Sequence, residues 1–533
     1  MNTIKTIICC LGLSILLTAC KESGNNNSTQ ITEAVTSEES STSGPDSSAS
    51  VPDSSIVEPQ YNIDPGYTRF EVESVSALKT YEGKTKIVYL TNYGIEPSEY
   101  DEDPDLYDTV YIQNTVNDYL DKIGRDYYVE FIFNEEWPRN TNEIHPNYEL
   151  YKQMLSDDQQ VDIVNTGLGF DSLGGDTFHL FVKEGYLEPL NDYITTEEGK
   201  KLYEQFDDII WALTTESDGK IYGKSSLYNV CMPLTVTINN SVMNQFGISI
   251  NEIKELNDLE PYLKTLKENN ISGLCLDSTN KLIPQLAGFT EYKGIYINAE
   301  TGKAENIFEN EKALSILRII ENFKNEGYLS KPSTDPEKTN PFSIDPALPL
   351  FYDTSNIISK GYLSTETLNC VVGISSNSKN KDKAFDLLML LNTDKELADI
   401  IYNGTEGRNY IASNGVITPN RNAMPFIDKI KTMANPIIAS ANSQDNIHKE
   451  SNVKNCWKNS IISPFFKFEL PEELVEPVKT VAEINSKYYG MFYGNYGSYE
   501  TLDKAIDAAN TELKEANIDD VLDELNKAKE KEL

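Results

Sequence analysis

The stretch Val161-Asp-Ile-Val-Asn-Thr-Gly167 decides the fold class of this chain. Its first four residues form a short apolar run, which predicts a buried strand, and Gly167 opens a glycine-rich turn. The same criteria predict two strands and two helices upstream: strands at 86–90 and 127–133, helices at 108–123 and 148–155. The order strand, helix, strand, helix, strand predicts an α/β fold, with a parallel sheet covered by helices.

The carboxyl ends of these strands form the candidate binding edge. In open sheets of this kind, ligands bind beyond the carboxyl ends of the strands. We therefore expect ligand contacts from the residues that follow them: Asn92, Tyr93, 134–137 and 166–171.

Composition and charge exclude several classes of protein. The 533 residues include 46 basic and 84 acidic side chains, which gives a net charge of −38. Nucleic-acid binding and polybasic docking on lipid both need clustered Lys and Arg, so both are excluded. The length suggests two or three domains, and 39% hydrophobic residues suffice for their cores. The 31 Tyr outnumber the 19 Phe and 3 Trp together, and Tyr suits wet binding surfaces as well as ordinary packing.

The N-terminus indicates export. Lys5 supplies a positive charge, and residues 7–17 form an apolar run too short for a comfortable membrane span. Leu17-Thr-Ala-Cys20 resembles a bacterial lipobox, in which the chain is cut before the cysteine and the thiol is acylated; the alternative is a plain secretory signal. The lipobox implies a lipoprotein carrying palmitate-type acyl chains at Cys20 and held on the outer face of a monoderm cell membrane. Residues 21–60 are rich in Ser, Thr, Asn and Gly, which predicts a disordered tether.

The sequence lacks the common motifs for catalysis and metal binding. The sequence contains no G-x-S-x-G, H-E-x-x-H, Walker A or G-x-G-x-x-G pattern, so we expect no enzyme and no cofactor. The three histidines are far apart, and Cys231, Cys275, Cys370 and Cys456 lack zinc-ligand spacing. We expect no metal and four buried free thiols, with one disulfide as the alternative.

Four stretches carry a resemblance to a known family. They are 161–193, with its Gly-Tyr-Leu-Glu-Pro-Leu-Asn-Asp; Asp218-Gly-Lys-Ile-Tyr-Gly223; the helix from Asn239 to Gly247; and Gly373 to Ala384 with the helix after it. Together they resemble extracellular solute-binding protein family 1 of carbohydrate-type ABC importers. Residues 403–410, 455–457 and 476–533 resemble a lipoprotein subgroup with a C-terminal domain of unknown function. One departure is that Gly223 is followed by Lys-Ser-Ser, where relatives continue toward Pro.

The resemblance implies a type II periplasmic-binding-protein-like fold, in which two α/β lobes close on a ligand by hinge motion. It divides the chain as follows: signal peptide 1–20, tether and approach 21–83, N-lobe 84–224, C-lobe 225–350, N-lobe return 351–405, and C-lobe completion with a helical C-terminal region 406–533.

The resemblance also implies a sugar or oligosaccharide ligand, delivery to ABC permease subunits, and a monomer. Sugars need flat rings for stacking and polar side chains for paired hydrogen bonds. The candidate ligand-binding residues are Trp137, Phe170, Asp171, Tyr228, Asn229, Glu406 and Trp457. Trp137 and Trp457 are the expected stacking platforms of the two lobes. Glu406 and Arg408 either contact ligand or form an ion pair that anchors the lobes, and the ion pair is favoured.

Two other functions remain open from the sequence. A binding protein for peptides or another non-sugar solute has the same fold, and a surface glycoside hydrolase also needs aromatic rings and two carboxylates.

Overall fold

The computed structural model describes residues 69, 71–92, 108–134, 146–167, 177–227, 230–271, 273–276, 283–330, 341–346, 355–363, 370–413, 416–425, 432–442 and 448–532. The strands are β1 (Thr85–Asn92), β2 (Tyr127–Asn134), β3 (Ile163–Asn165), β4 (Lys224–Ser225), β5 (Leu234–Ile238), β6 (Leu274–Leu276), β7 (Phe289–Tyr292), β8 (Ile295–Asn298), β9 (Lys303–Ala304), β10 (Leu329–Ser330), β11 (Phe342–Pro346), β12 (Ser355–Ile357), β13 (Tyr362–Leu363), β14 (Val371–Ile374), β15 (Tyr410–Ser413), β16 (Val416–Pro419) and β17 (Ile461–Ile462). The α-helices are α1 (Thr109–Lys122), α2 (Pro146–Ser156), α3 (Thr177–Lys183), α4 (Asn191–Ile194), α5 (Gly199–Tyr203), α6 (Asp208–Ala212), α7 (Asn240–Phe246), α8 (Glu260–Glu268), α9 (Glu311–Asn325), α10 (Lys381–Thr393), α11 (Lys395–Tyr402), α12 (Lys449–Asn459), α13 (Val475–Tyr488), α14 (Leu502–Glu515) and α15 (Ile518–Glu532).

The first sheet has the strand order β2-β1-β3-β14-β4 and forms the centre of the N-lobe. Strands β1, β2 and β3 are parallel, whereas β14 is antiparallel to both β3 and β4. Side chains alternate along β1, so that Ile87 and Tyr89 join the core against α1 while Val88 and Leu90 join the core against α2 and α3. The sheet is therefore buried on both faces, as the apolar runs in its strands require.

The second sheet repeats this plan in the C-lobe, with the order β10-β6-β11-β5-β12. Strands β10, β6 and β11 are parallel, and β5 is antiparallel to β11 and β12. The C-terminal helices α13, α14 and α15 place Val481, Ala509 and Leu525 in the core of this lobe. Two lobes, each with its own sheet and core, confirm the predicted α/β class and two-lobe architecture.

The connections between the lobes determine which edges of the two sheets lie opposite each other. Strand β4 ends at the same edge of the first sheet as β3, because both are antiparallel to β14. Strand β5 starts at the edge where β11 ends, because these two are antiparallel. The chain passes from β4 to β5 through residues 226–233, so the carboxyl-end edges of the two sheets face each other across the lobe junction.

Three lobe boundaries differ from the prediction. Residues 71–83, predicted as part of the tether, pack on the N-lobe. Strand β12 still belongs to the second sheet, so the return to the N-lobe is complete only at β14 rather than at 351. Ile437 and Trp457 belong to the N-lobe core, so the last crossing follows α12 instead of beginning at 406. Local periodicity does not reveal which core a helix joins.

Within the described residues, no helix combines the length and the apolar character needed to cross a membrane.

Candidate ligand site between the facing sheet edges

A chain of buried amides lies at the carboxyl-end edge of the N-lobe sheet. Asn134, the last residue of β2, donates from Nδ2 to Oδ1 of Asn147 on α2 at 3.0 Å. Asn147 donates in turn to the backbone oxygen of Asn165 at the end of β3, at 2.7 Å, and Asn165 donates to Oγ1 of Thr432 at 3.0 Å. Asn147 and Asn165 are fully buried. Asn147 therefore holds the ends of β2 and β3 at a fixed separation, from a helix that both strands pack against.

The rest of this edge is joined by backbone contacts. Thr166 donates its N–H to the carbonyl of Val371, and its Oγ1 accepts from the Val371 N–H at 3.2 Å. Ser226 donates its N–H to the carbonyl of Cys370 at 2.6 Å. Amide and hydroxyl groups make these contacts, and such groups pair with neutral polar ligands without the cost of burying a charge. The side chains that join the strand ends in these contacts are therefore uncharged amides and hydroxyls.

Gln285, in a 3₁₀ helix at Ile283–Ala287 of the C-lobe, joins two of the connections between the lobes. Its Nε2 donates to the carbonyls of Met232 at 2.9 Å and Lys360 at 2.5 Å. Met232 belongs to the connection from β4 to β5, and Lys360 to the connection from β12 to β14. The side chain is 5% exposed, so water competes little for these bonds and the two connections are held together at the C-lobe end.

Gly361 links the third connection between the lobes, which follows α12, to the two connections that Gln285 joins. A side chain at Gly361 has no room, because its Cβ would lie 2.0 Å from the carbonyl oxygen of Cys231 and 2.5 Å from Oγ of Ser460. The carbonyl of Gly361 accepts from the N–H of Ile461 at 3.0 Å, and β13 pairs with β17 in parallel.

Burial raises the pKa of the Cys456 thiol to about 11, and it also raises the pKa of the Cys231 thiol.

Most of the predicted site residues lie outside the described residues. These are Trp137, Phe170, Asp171, Tyr228 and Asn229, and the lipidation residue Cys20. In the sequence, Trp137 follows Asn134, the last residue of β2, and Phe170 and Asp171 follow Gly167 after β3.

The side chain of Arg408 forms an ion pair with Asp108, which is not the lobe-anchoring pair favoured from the sequence. Its Nε and Nη2 contact both carboxylate oxygens of Asp108 at 2.5 and 2.9 Å, and its guanidinium lies 4.1 Å from the centre of the Tyr111 ring. The pair joins the segment 404–410 to the start of α1 within the N-lobe, so it does not bridge the lobes. Glu406 is exposed beside it, and its predicted ligand contact stays a prediction.

The prediction for Trp457 needs correction. Its ring is 1% exposed and packs against Phe206, with ring centroids 6.1 Å apart, in the N-lobe core. A stacking platform needs an accessible ring face, and α12 belongs to the N-lobe and not to the C-lobe. Trp457 is therefore a core residue in this structure.

The described residues contain no group of three or more His, Cys, Asp or Glu side chains that could hold a metal. The thiols of Cys231, Cys275, Cys370 and Cys456 are buried and free, as the favoured alternative predicted.

Sequence reasoning missed Asn147 and Gln285. Asn147 is one polar residue in a short helix, and Gln285 lies far along the chain from both carbonyls that it binds. The available signal was Asn134, which stood among the residues expected at the binding edge.

Comparison with known proteins agrees with this geometry. The chain is 27% identical over 278 residues to a carbohydrate ABC transporter substrate-binding protein of Streptococcus pneumoniae. The N-glycan transport solute binding protein (NgtS) of the same species superposes with a TM-score of 0.59 at 20% identity, covering 84% of this chain and 99% of that one. The chain has the fold of a solute-binding protein. The same protein in complex with Man1GlcNAc superposes with a TM-score of 0.51 at 19% identity, with the same coverage of both chains.

The sequence match to the carbohydrate ABC transporter relative covers 46% of this chain and 55% of that protein, little more than half of its length. No protein-family model matches the chain. Similarity to the NgtS structures establishes the solute-binding fold alone.

Proposed function

We propose that this protein captures a sugar or oligosaccharide in the cleft between its lobes and passes it to the permease of an ABC importer. The observation that carries the proposal is that the carboxyl-end edges of the two sheets face each other across three connections. This arrangement encloses a ligand between two α/β lobes that close by rotation at the connections.

Uncharged amides join the ends of β2 and β3 at the N-lobe edge, which suits a neutral, hydroxyl-rich ligand. Asn134, Asn147 and Asn165 form a chain of buried amides, and the expected stacking ring Trp137 follows Asn134 by three residues in the sequence. The relatives support carbohydrate as the class of ligand, because one is named for carbohydrate transport and the other for N-glycan transport. A binding role without turnover follows from this reading.

We further propose that Cys20 carries the lipid anchor and that the folded body lies on the outer face of the cell membrane. The net charge of −38 suits a soluble body held near a surface, because it opposes self-association and adhesion to anionic lipid. Replacing Cys20 with Ser should release the protein from the membrane fraction, and retention of the variant there would contradict the anchor.

Calorimetric titration of the whole protein tests the ligand class. Mannose- and N-acetylglucosamine-containing oligosaccharides should bind with micromolar or tighter affinity, whereas peptides of similar size should not. Trp137→Ala should weaken binding at least tenfold, about 1.4 kcal/mol, while Trp211→Phe serves as a core control. If the protein bound peptides and no oligosaccharide, the fold would still be that of a solute-binding protein, but the proposed sugar ligand would be refuted.

Product analysis separates binding from hydrolysis. The oligosaccharide recovered after prolonged incubation should be unchanged in mass. Release of shorter sugars that requires this protein would replace the transport proposal with the glycoside hydrolase.

A further inference from the structure

A segment ahead of the first strand, residues 71–83, lies along α1 and is here called the strap. Asn114 of α1 binds the backbone of the strap on either side of Leu78. Its Oδ1 accepts from the Lys79 N–H at 2.8 Å, and its Nδ2 donates to the Ala77 carbonyl at 3.0 Å. Tyr81 donates to the Asn114 carbonyl at 3.1 Å, and its ring stacks on Tyr128 of β2 with centroids 5.4 Å apart. Asn114 thus acts toward the strap as a neighbouring strand would.

The start of the strap is held at a second place. Arg408, already paired with Asp108, donates from Nη2 to the carbonyl of Glu73 at 2.8 Å. Asn422 donates to the carboxylate of Glu71 at 3.2 Å. The strap is therefore linked to the start of α1 at residues 71–73 through Arg408, and it contacts the middle of that helix directly at residues 77–81.

The direction of α1 fixes which edge of the lobe the strap reaches. Gln113 of α1 accepts from the Phe131 N–H, and Asn117, one turn later, accepts from the Val129 N–H, two residues earlier in β2. The helix is therefore antiparallel to β2, and its first turn lies at the carboxyl-end edge of the sheet. The strap leads from that edge back to the start of β1.

From these contacts we infer that the strap fixes the exit of the membrane tether at the cleft-facing edge of the N-lobe. Without it the tether would leave at Thr85, at the opposite edge of the sheet. Thirteen residues span at most about 45 Å, which is comparable with the root-mean-square length of about 40 Å calculated for the predicted tether if it comprises the 50 residues 21–70. The partner surface is the lipid bilayer, and this inference rests on the proposed acylation of Cys20.

Limited trypsin digestion of the full chain tests whether the strap is docked. The next cleavable residues after Lys21 are Arg69, just ahead of the strap, and Lys79, inside it. The intact protein should be cut after Arg69 and resist at Lys79 at least tenfold longer. Asn114→Ala and Tyr81→Ala should each remove that protection, while Thr115→Ala, on the same helix but without strap contacts, should keep it. Equal cleavage at both sites in the unaltered protein would overturn the inference.

Energy transfer on vesicles tests the position of the exit. The acylated chain is bound to phosphatidylcholine vesicles carrying an acceptor lipid, with a donor dye on Glu406→Cys beside Arg408 or on Asp157→Cys after α2, at the opposite edge. Transfer should be stronger from position 406, and the difference should shrink in Tyr81→Ala. Equal transfer from the two positions, or stronger transfer from position 157, would refute the proposed position of the tether exit. Oligosaccharide titration of the protein with Glu406 unaltered does not depend on either result, so the proposed ligand stands or fails separately, whereas failure to bind vesicles contradicts the anchor.

Discussion

At the scale of single residues, Arg408 joins three segments of the N-lobe through one guanidinium group. It binds Asp108 with two contacts, covers the Tyr111 ring and holds the Glu73 carbonyl. The side chains of the pair are 15% and 9% exposed. Arg408→Ala leaves the Asp108 carboxylate without its partner, so we expect the free energy of unfolding to fall by about 3 kcal/mol in urea titration.

Arg408→Lys should recover only part of that loss, because an ammonium group cannot reproduce the planar two-point contact. Lys122→Ala is the matched control, since Lys122 pairs with Glu396 in solvent and should cost no more than about 1 kcal/mol. Equal losses for Arg408→Ala and Lys122→Ala would contradict the structural role of Arg408.

Cys456 gives a pH-dependent prediction at the same scale. Burial raises its thiol pKa from 9.0 to about 11, so the reactive thiolate is scarce at neutral pH. Its contribution to stability is complete below about pH 9 and is lost as the pH rises toward 11. A maleimide or disulfide probe should therefore leave Cys456 unlabelled at pH 7.5 in the folded protein and label it in urea. Rapid labelling of Cys456 in the folded state would contradict its burial.

At the scale of elements, side-chain amides complete the outer edge of β2. Asn117 accepts from the N–H of Val129 at 2.7 Å and donates to its carbonyl at 2.8 Å, which satisfies groups that an edge strand leaves open to other chains. Asn526 binds both backbone groups of Ala304 on β9 in the same way. Asn117→Ala should lower the free energy of unfolding by about 2 kcal/mol and increase aggregation, measured by urea titration and light scattering. Thr115→Ala should change neither, and an equal effect there would remove the edge-capping role.

The elements themselves were largely predictable, because strands and helices follow local periodicity. The strand expected at 127–133 is β2, and the helix expected at 108–123 is α1, each within one residue at either end. The assignment of α12 to the N-lobe was not predictable, since its apolar face does not specify which core it joins. The strap was missed for a related reason: its residues mix apolar and polar side chains without a helix or strand period, and its partners Asn114 and Arg408 lie far along the chain.

At the scale of the whole molecule, the facing sheet edges followed from the family resemblance, whereas the contacts that hold them did not. The sequence indicated two lobes and a binding edge that includes Asn134. It did not indicate Asn147 or Gln285, because each makes its contacts with backbone carbonyls or amides of distant segments. Every residue carries a backbone carbonyl, so the residue type does not show which carbonyls accept such bonds. These contacts can be identified only from the three-dimensional structure.

Gln285 carries the last prediction, which concerns motion between the lobes. Since its Nε2 holds the Met232 and Lys360 carbonyls together, both connections should turn as one unit when the cleft closes. Gln285→Leu keeps the bulk and removes both bonds, so binding must first order two independent connections. We expect sugar affinity to fall about three- to tenfold by stopped-flow fluorescence, mainly through slower association. Gln205→Leu, in the N-lobe and away from the connections, should leave the rates unchanged. A Gln285→Leu protein that unfolds more easily but binds at the original rate would show that the bonds support the fold without guiding closure.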